Sequence, residues 1–133
     1  MDTYKDFLGY KINHTTRTIK SKWLRFVNGR EYREGMLKVY ELIKQNNLRY
    51  WLYDASRFSS PNVSDQLWIA KEFTSLLATT KLKKTAVLLP GDLFMQTVAE
   101  QIHAKARPAM NKVMQYQSFH DLGSAEEWIQ ENE

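Results

Sequence analysis

The sequence predicts an α/β domain with one mixed, mostly parallel central sheet of about five strands and about four helices, in the order ββαβαβαβα. Three observations predict it. The chain opens with two runs of alternating apolar and polar residues. Beyond residue 28, longer runs with apolar residues three and four apart alternate with short apolar runs. Turn and cap residues separate each run from the next. Helix-length and strand-length runs in alternation imply crossover connections, and hence parallel pairing, after an initial antiparallel hairpin.

Leu8, Tyr10 and Ile12 alternate with Gly9, Lys11 and Asn13, the period of a half-buried strand. A polar turn at His14 to Arg17 leads into Thr18 to Val27, where Ile19, Trp23 and Val27 share one face while Leu24 and Phe26 share the other, as if neighbours lay on both sides. Asn28 and Gly29 end that strand. Tyr32, Met36, Val39, Tyr40 and Ile43 then recur at helical steps, with Asn46 and Asn47 as terminators. Tyr50 to Tyr53 is a short, wholly apolar run ending at Asp54, as a central strand covered on both faces reads.

A Ser-rich connection from Ala55 to Pro61 follows. Asn62, with Asp65 three positions on, resembles a helix cap, and Val63, Leu67, Ala70, Phe73 and Leu77 supply the next apolar stripe. Thr85 to Leu89 forms another apolar strand, closed by Pro90 and Gly91. Asp92 can cap a helix facing inward through Met95, Val98, Ala99, Ile102 and Ala106, which Pro108 stops. Lys112 to Phe119 alternates with more polar residues, as an edge strand does. Ser124 and Glu127 form a Ser-x-x-Glu capping box before a short helix carrying Trp128 and Ile129.

Composition narrows the function classes. The 133 residues, 43% of them hydrophobic, match one domain, residues 1–133, with enough apolar material for a core. The absence of cysteine removes disulfides, thiolate metal sites and cysteine nucleophiles, and fits a reducing, cytoplasmic setting. Met1 to Tyr10 carries Asp2, Lys5 and Asp6 and lacks the apolar core of a secretory signal. No uncharged run is long enough to span a membrane. The net charge of +4 is small and spread out, so no nucleic-acid partner is expected. The densest basic cluster, Lys81, Lys83 and Lys84, reads as solvated edge protection. His14, His103 and His120 share no metal-ligand spacing, and neither a Gly-x-Ser-x-Gly elbow nor a phosphate-cradling glycine loop is present, so no metal, cofactor or catalytic apparatus is expected.

The stretch Tyr50-Trp51-Leu52-Tyr53-Asp54-Ala55-Ser56-Arg57-Phe58 with Gln66-Leu67-Trp68-Ile69, the strand Lys84-Thr85-Ala86-Val87-Leu88 and the late Ala125-Glu126-Glu127-Trp128-Ile129 together resemble the STAS-like proteins of the Bacteroidetes type. The resemblance runs from about Trp23 to Ile129. It implies the anti-sigma-factor antagonist fold, related to that of the lipid-binding CRAL-TRIO domains. In the wider family a loop serine before the second helix is phosphorylated. Ser64 is the nearest match here, although the Ser-Gly expected after it is missing.

Asp54 stands where a parallel strand ends, the usual ligand rim of an open α/β sheet, with Ser56, Arg57, Ser59 and Ser60 beside it and Asp92 in the next strand's loop. Arg57 has the fork for a phosphate or carboxylate. The alternative is that Asp54 accepts backbone hydrogen bonds in its own turn and pairs with Arg57 at the surface. Trp68 between Leu67 and Ile69, with Phe58 upstream, widens the apolar arc of the second helix into a docking patch or a broad core. Three readings follow. The leading one is a non-catalytic regulatory module, monomeric or weakly dimeric, that recognises a protein partner through Asp54, Ser56, Arg57, Phe58, Ser64, Trp68 and Asp92. The second is a carrier of a small lipid or anionic ligand, and the third an enzyme built on Asp54, Arg57 and Asp92.

Overall fold

The computed structural model describes residues 1–57 and 61–131. Strands β1 (Asp2–Tyr4), β2 (Leu8–Asn13) and β3 (Thr18–Trp23) form an antiparallel meander. Three further strands, β4 (Tyr50–Asp54), β5 (Lys84–Leu88) and β6 (Gln115–Phe119), extend the same sheet in parallel from β3, in the order β1-β2-β3-β4-β5-β6. The expected hairpin is β2 and β3, and the expected edge strand is β6. The extra strand, β1, is three residues long, too short for a period of two to announce it. The two apolar runs lie side by side, with Leu52 opposite Ala86 and Tyr53 opposite Val87.

Helix α1 (Gly29–Gln45) starts with a full capping box: Glu31 N–H donates to Asn28 Oδ1 at 2.8 Å, and Asn28 N–H donates to Glu31 Oε1 at 3.1 Å. Its end is set by Asn46 and by Asn47, which takes the left-handed conformation at φ 51°. The next helical rod is continuous but composite: α2 (Val63–Trp68), a π-helical turn (Ile69–Phe73) and α3 (Thr74–Leu77). Helix α4 (Leu93–Ala106) passes into a 3-10 turn (Arg107–Ala109) at Pro108, and α5 (Leu122–Gln130) closes the described chain.

The main core lies between one sheet face and α1, the composite rod and α4. Leu8, Ile19, Trp23, Trp51, Tyr53 and Val87 project into it from the sheet. A smaller core of Leu52, Ala86, Ala125 and Ile129 lies under α5 on the opposite face. Trp23 organises the larger core. Its indole N–H donates to the Tyr53 hydroxyl at 2.7 Å, its ring stacks on Phe7, and Gly35 lets α1 rest directly on it.

Four local expectations are corrected. Beyond Trp23 the chain leaves the sheet, so Phe26 is 71% exposed rather than covered. Val63 and Leu67 are exposed as well, because the π turn adds one residue and rotates the buried stripe by about 100° between α2 and α3. Lys84 is buried, not solvated: its Nζ donates to the carbonyls of Trp128 at 2.9 Å and Glu131 at 3.1 Å, a cation at the C-terminus of α5. That helix starts earlier than the capping box implied, since Asp121 accepts from Ser124 N–H at 2.8 Å and takes the cap position itself.

Candidate functional site

Asp54 ends β4 on the side of the sheet shared with Leu52 and α5, since alternate residues of a strand face opposite ways. Its carboxylate accepts from Ser56 N–H at 2.9 Å and from the Ser56 hydroxyl, a local Asx turn. Asp92 accepts from Phe94 N–H at 2.8 Å as the N-cap of α4. Arg57 is exposed and forms no ion pair with Asp54 among the described residues. No hydrogen bond joins Asp54, Arg57 and Asp92 to one another within that set. Phe58, with Ser59 and Ser60, lies outside the described residues.

Ser64 and Trp68 belong to a different constellation, at the junction of α1 and α2. Asn62 caps α2 by accepting from Asp65 N–H at 2.8 Å, as its spacing implied. Asp65 itself is buried, and Arg33 of α1 donates to it through Nε at 2.7 Å while its Nη2 reaches the Ser64 hydroxyl at 3.1 Å. The same guanidinium lies 5.2 Å from the centre of the Trp68 ring, which tilts against Phe73. Sequence reasoning missed Arg33 and the burial of Asp65. The Asn-x-x-Asp spacing reveals a cap but cannot show that α1 packs over it.

The most apolar concavity among the described residues is one that no motif signals. An apolar cavity of about 110 Å³ lies between the sheet, the composite rod and α4. Trp51, Tyr53, Thr85, Val87 and Tyr116 form its floor, Ile69, Phe73, Thr74 and Leu77 one wall, and Met95, Val98, Ala99, Ile102, His103 and Ala106 the other. Ala55, Pro61 and Met95 lie towards the strands' carboxyl ends, and Met110, Met114 and Gln115 towards the opposite end. Among the described residues, no Lys, Arg, Asp or Glu lines it. Burial raises the pKa of Tyr116 to about 12 and pushes those of Tyr32 and Tyr53 above the ordinary phenol range, so all three are neutral. Burial, with the nearby Arg107 charge, depresses His103. The signal in the sequence was the apolar stripes themselves: they predicted inward-facing Met95, Val98 and Ala99, without showing that the residues opposite leave space.

No helix among the described residues is long and apolar enough to cross a membrane. Among the described residues, no three of His, Asp and Glu gather as a metal site requires. No family model and no curated protein matches the sequence. In solved structures, the chain is similar to an uncharacterised protein of the DUF3478 family with a SpoIIAA-like fold from Shewanella loihica PV-4. The TM-score is 0.55 over 97% of this chain and 98% of that one, at 14% identity. That likeness, together with the six-stranded sheet and its flanking helices, gives the chain a SpoIIAA-like, that is STAS-like, fold.

Proposed function

We propose that this chain is a non-catalytic binding module that holds a small apolar molecule in the cavity between α4, the composite rod and the sheet. The observation that carries this reading is the cavity itself, with no ionised side chain among the described residues that line it. At the cost per unit volume known for sealed apolar cavities, filling a space of about 110 Å³ is worth at most roughly 2–3 kcal/mol. A ligand that fills it recovers contacts the bare protein lacks. The rim residues support the reading from the other side. Asp54 and Asp92 each spend their carboxylates on local turns, and Asp54 faces away from the cavity.

Native mass spectrometry of gently purified protein, followed by Ala99→Phe to fill the space, tests it. The expected result is a bound mass above the 15.7 kDa polypeptide that disappears in the variant. A bare mass together with no uptake of added toluene, benzene or decanoate overturns it.

A second reading, recognition of a protein partner in a regulatory role, is favoured by exposed Val63 and Leu67 on α2 and Leu93 and Phe94 on the first turn of α4. Both helices start at the carboxyl end of the parallel strands, beside the cavity. A partner reading this surface would also sense whether the cavity is filled. Crosslinking in native cells with wild type and Phe94→Asp tests it: the expected result is an adduct lost in the variant, and an identical pattern in both removes this reading.

A further inference from the structure

The polar groups along the cavity are not equivalent. Thr74 Oγ1 donates to the carbonyl of Ile69 at 2.8 Å, the Tyr53 hydroxyl receives the Trp23 indole N–H, and the Ser118 side chain lies near the Tyr116 phenol. Two groups remain. Neither the hydroxyl of Thr85, a residue only 7% exposed, nor the imidazole of His103 has a hydrogen-bond partner among the described residues. Both neighbour Tyr116: Thr85 pairs with it across β5 and β6, and the Tyr116 ring lies 4.6 Å from that of His103. The stretch of the cavity around Tyr116 therefore offers two hydrogen-bonding groups with no partner among the described residues.

We propose that the cavity selects a single-ring apolar molecule bearing one uncharged hydrogen-bonding group, a phenol or a benzylic alcohol by class, received beside Tyr116 by the Thr85 hydroxyl or the His103 imidazole. This rests on the reading that the cavity is a ligand site.

Size sets the ring count. The space corresponds to roughly three to four times the volume one water takes in the liquid, and apolar cavities of roughly 150 Å³ engineered elsewhere admit benzene. A long acyl chain does not fit. Charge sets the head group, because no described Lys or Arg lines the space to bond an ionised carboxylate and offset its lost hydration, and Arg107 acts on His103 only from outside that lining. The depressed pKa of His103 keeps the imidazole neutral at pH 7 and above, so the ring presents one N–H donor and one acceptor nitrogen. A hydroxyl, which both gives and accepts, suits either partner, the neutral ring or the threonine hydroxyl.

Calorimetry at pH 7.5 on the whole chain, with phenol, toluene, benzoate and decanoate as probes, tests the assignment. Phenol is expected to bind roughly five-fold tighter than toluene, the worth of about one neutral hydrogen bond, and tighter than either anion. Thr85→Val and His103→Phe are expected to reduce phenol to the affinity of toluene while toluene is retained. The wild-type ranking decides the matter even if a variant does not fold. Equal binding of phenol and toluene, or stronger binding of benzoate or decanoate, overturns the ligand class and leaves the cavity as a site of another kind. Binding of none of the four overturns both.

Discussion

Gly35 is the position where one added carbon tests the packing argument most sharply. Placed in the middle of α1, it costs the helix up to about 1 kcal/mol in propensity relative to alanine, so Gly35→Ala in an open helix is stabilising. Here the new Cβ would stand 2.6 Å from Cζ3 and 2.7 Å from Cη2 of Trp23, and 3.4 Å from Phe7. Trp23 cannot turn aside cheaply. Its indole N–H is bonded to Tyr53, Phe7 stacks on one side, and Tyr32 lies 5.8 Å away between ring centres. Either α1 lifts or the indole gives up its bond, and overpacking of this kind costs about 1–3 kcal/mol. The clash therefore outweighs the propensity gain, for a net loss of roughly 1–2 kcal/mol, or about 3–8 °C in Tm for a chain of this size. Urea unfolding followed by tryptophan fluorescence measures it, with Gly123→Ala as control. There the added Cβ meets only Asp121 Oδ1 at 3.5 Å, an ordinary contact, and stability should be unchanged or slightly higher. A Gly35→Ala protein as stable as wild type would refute the idea that Trp23 is locked.

Tyr53→Phe removes the acceptor of the Trp23 indole N–H, leaving a buried donor alone, and should cost about 1–3 kcal/mol in urea unfolding. Lys84→Met keeps the packed stem but removes the donor to Trp128 and Glu131; a loss of about 1–2 kcal/mol with faster hydrogen exchange in α5 is expected, and a variant as stable as wild type would mean that desolvating the ammonium offsets its bonds. Alkaline unfolding should follow the buried phenols. Tyr32, Tyr53 and Tyr116 have folded pKa values raised by burial, so the unfolded chain releases their protons first; their stabilising contribution is complete below about pH 10 and for Tyr116 is lost as pH rises from there through about 12, which absorbance at 295 nm against circular dichroism will follow.

The fold was legible because each level of the sequence repeats the same message. The period of two in Leu8, Tyr10 and Ile12, the helical stripe from Tyr32 to Ile43 and the unbroken apolar runs at Leu52 and Val87 are all backbone-scale signals, and each became the expected element. The features that escaped depend on side chains meeting from distant parts of the chain. Lys84 looks like one of three solvated lysines until α5 folds over it and supplies two carbonyls. Asp65 looks like a first-turn carboxylate until Arg33 reaches it from α1, 32 residues away. The site was legible only in outline. Polar residues at a strand end are conspicuous in sequence, whereas a cavity is the absence of atoms, and only the packed structure shows where they are missing.

The π turn at Ile69–Phe73 ties the missed details together. A regular helix from Val63 to Leu77 would place Val63, Leu67, Ala70, Phe73 and Leu77 on one stripe against the sheet. The extra residue rotates the start of the rod instead, so Asp65 points inward to Arg33 while Val63 and Leu67 turn outward. Beyond it, Ile69, Phe73 and Thr74 face the cavity, and the Thr74 hydroxyl donates to the carbonyl of Ile69, which also accepts the Thr74 N–H in the wider turn. One local irregularity therefore sets the buried ion pair, the exposed apolar rim and one wall of the cavity. Deleting Lys71, an exposed residue inside the turn, should restore α-helical phase, draw Val63 and Leu67 towards the core and misplace Asp65. If such a protein keeps wild-type affinity for a cavity probe such as toluene, the π turn is incidental to binding. If the probe is lost while the core stays folded by near-ultraviolet circular dichroism, the turn is what shapes that wall.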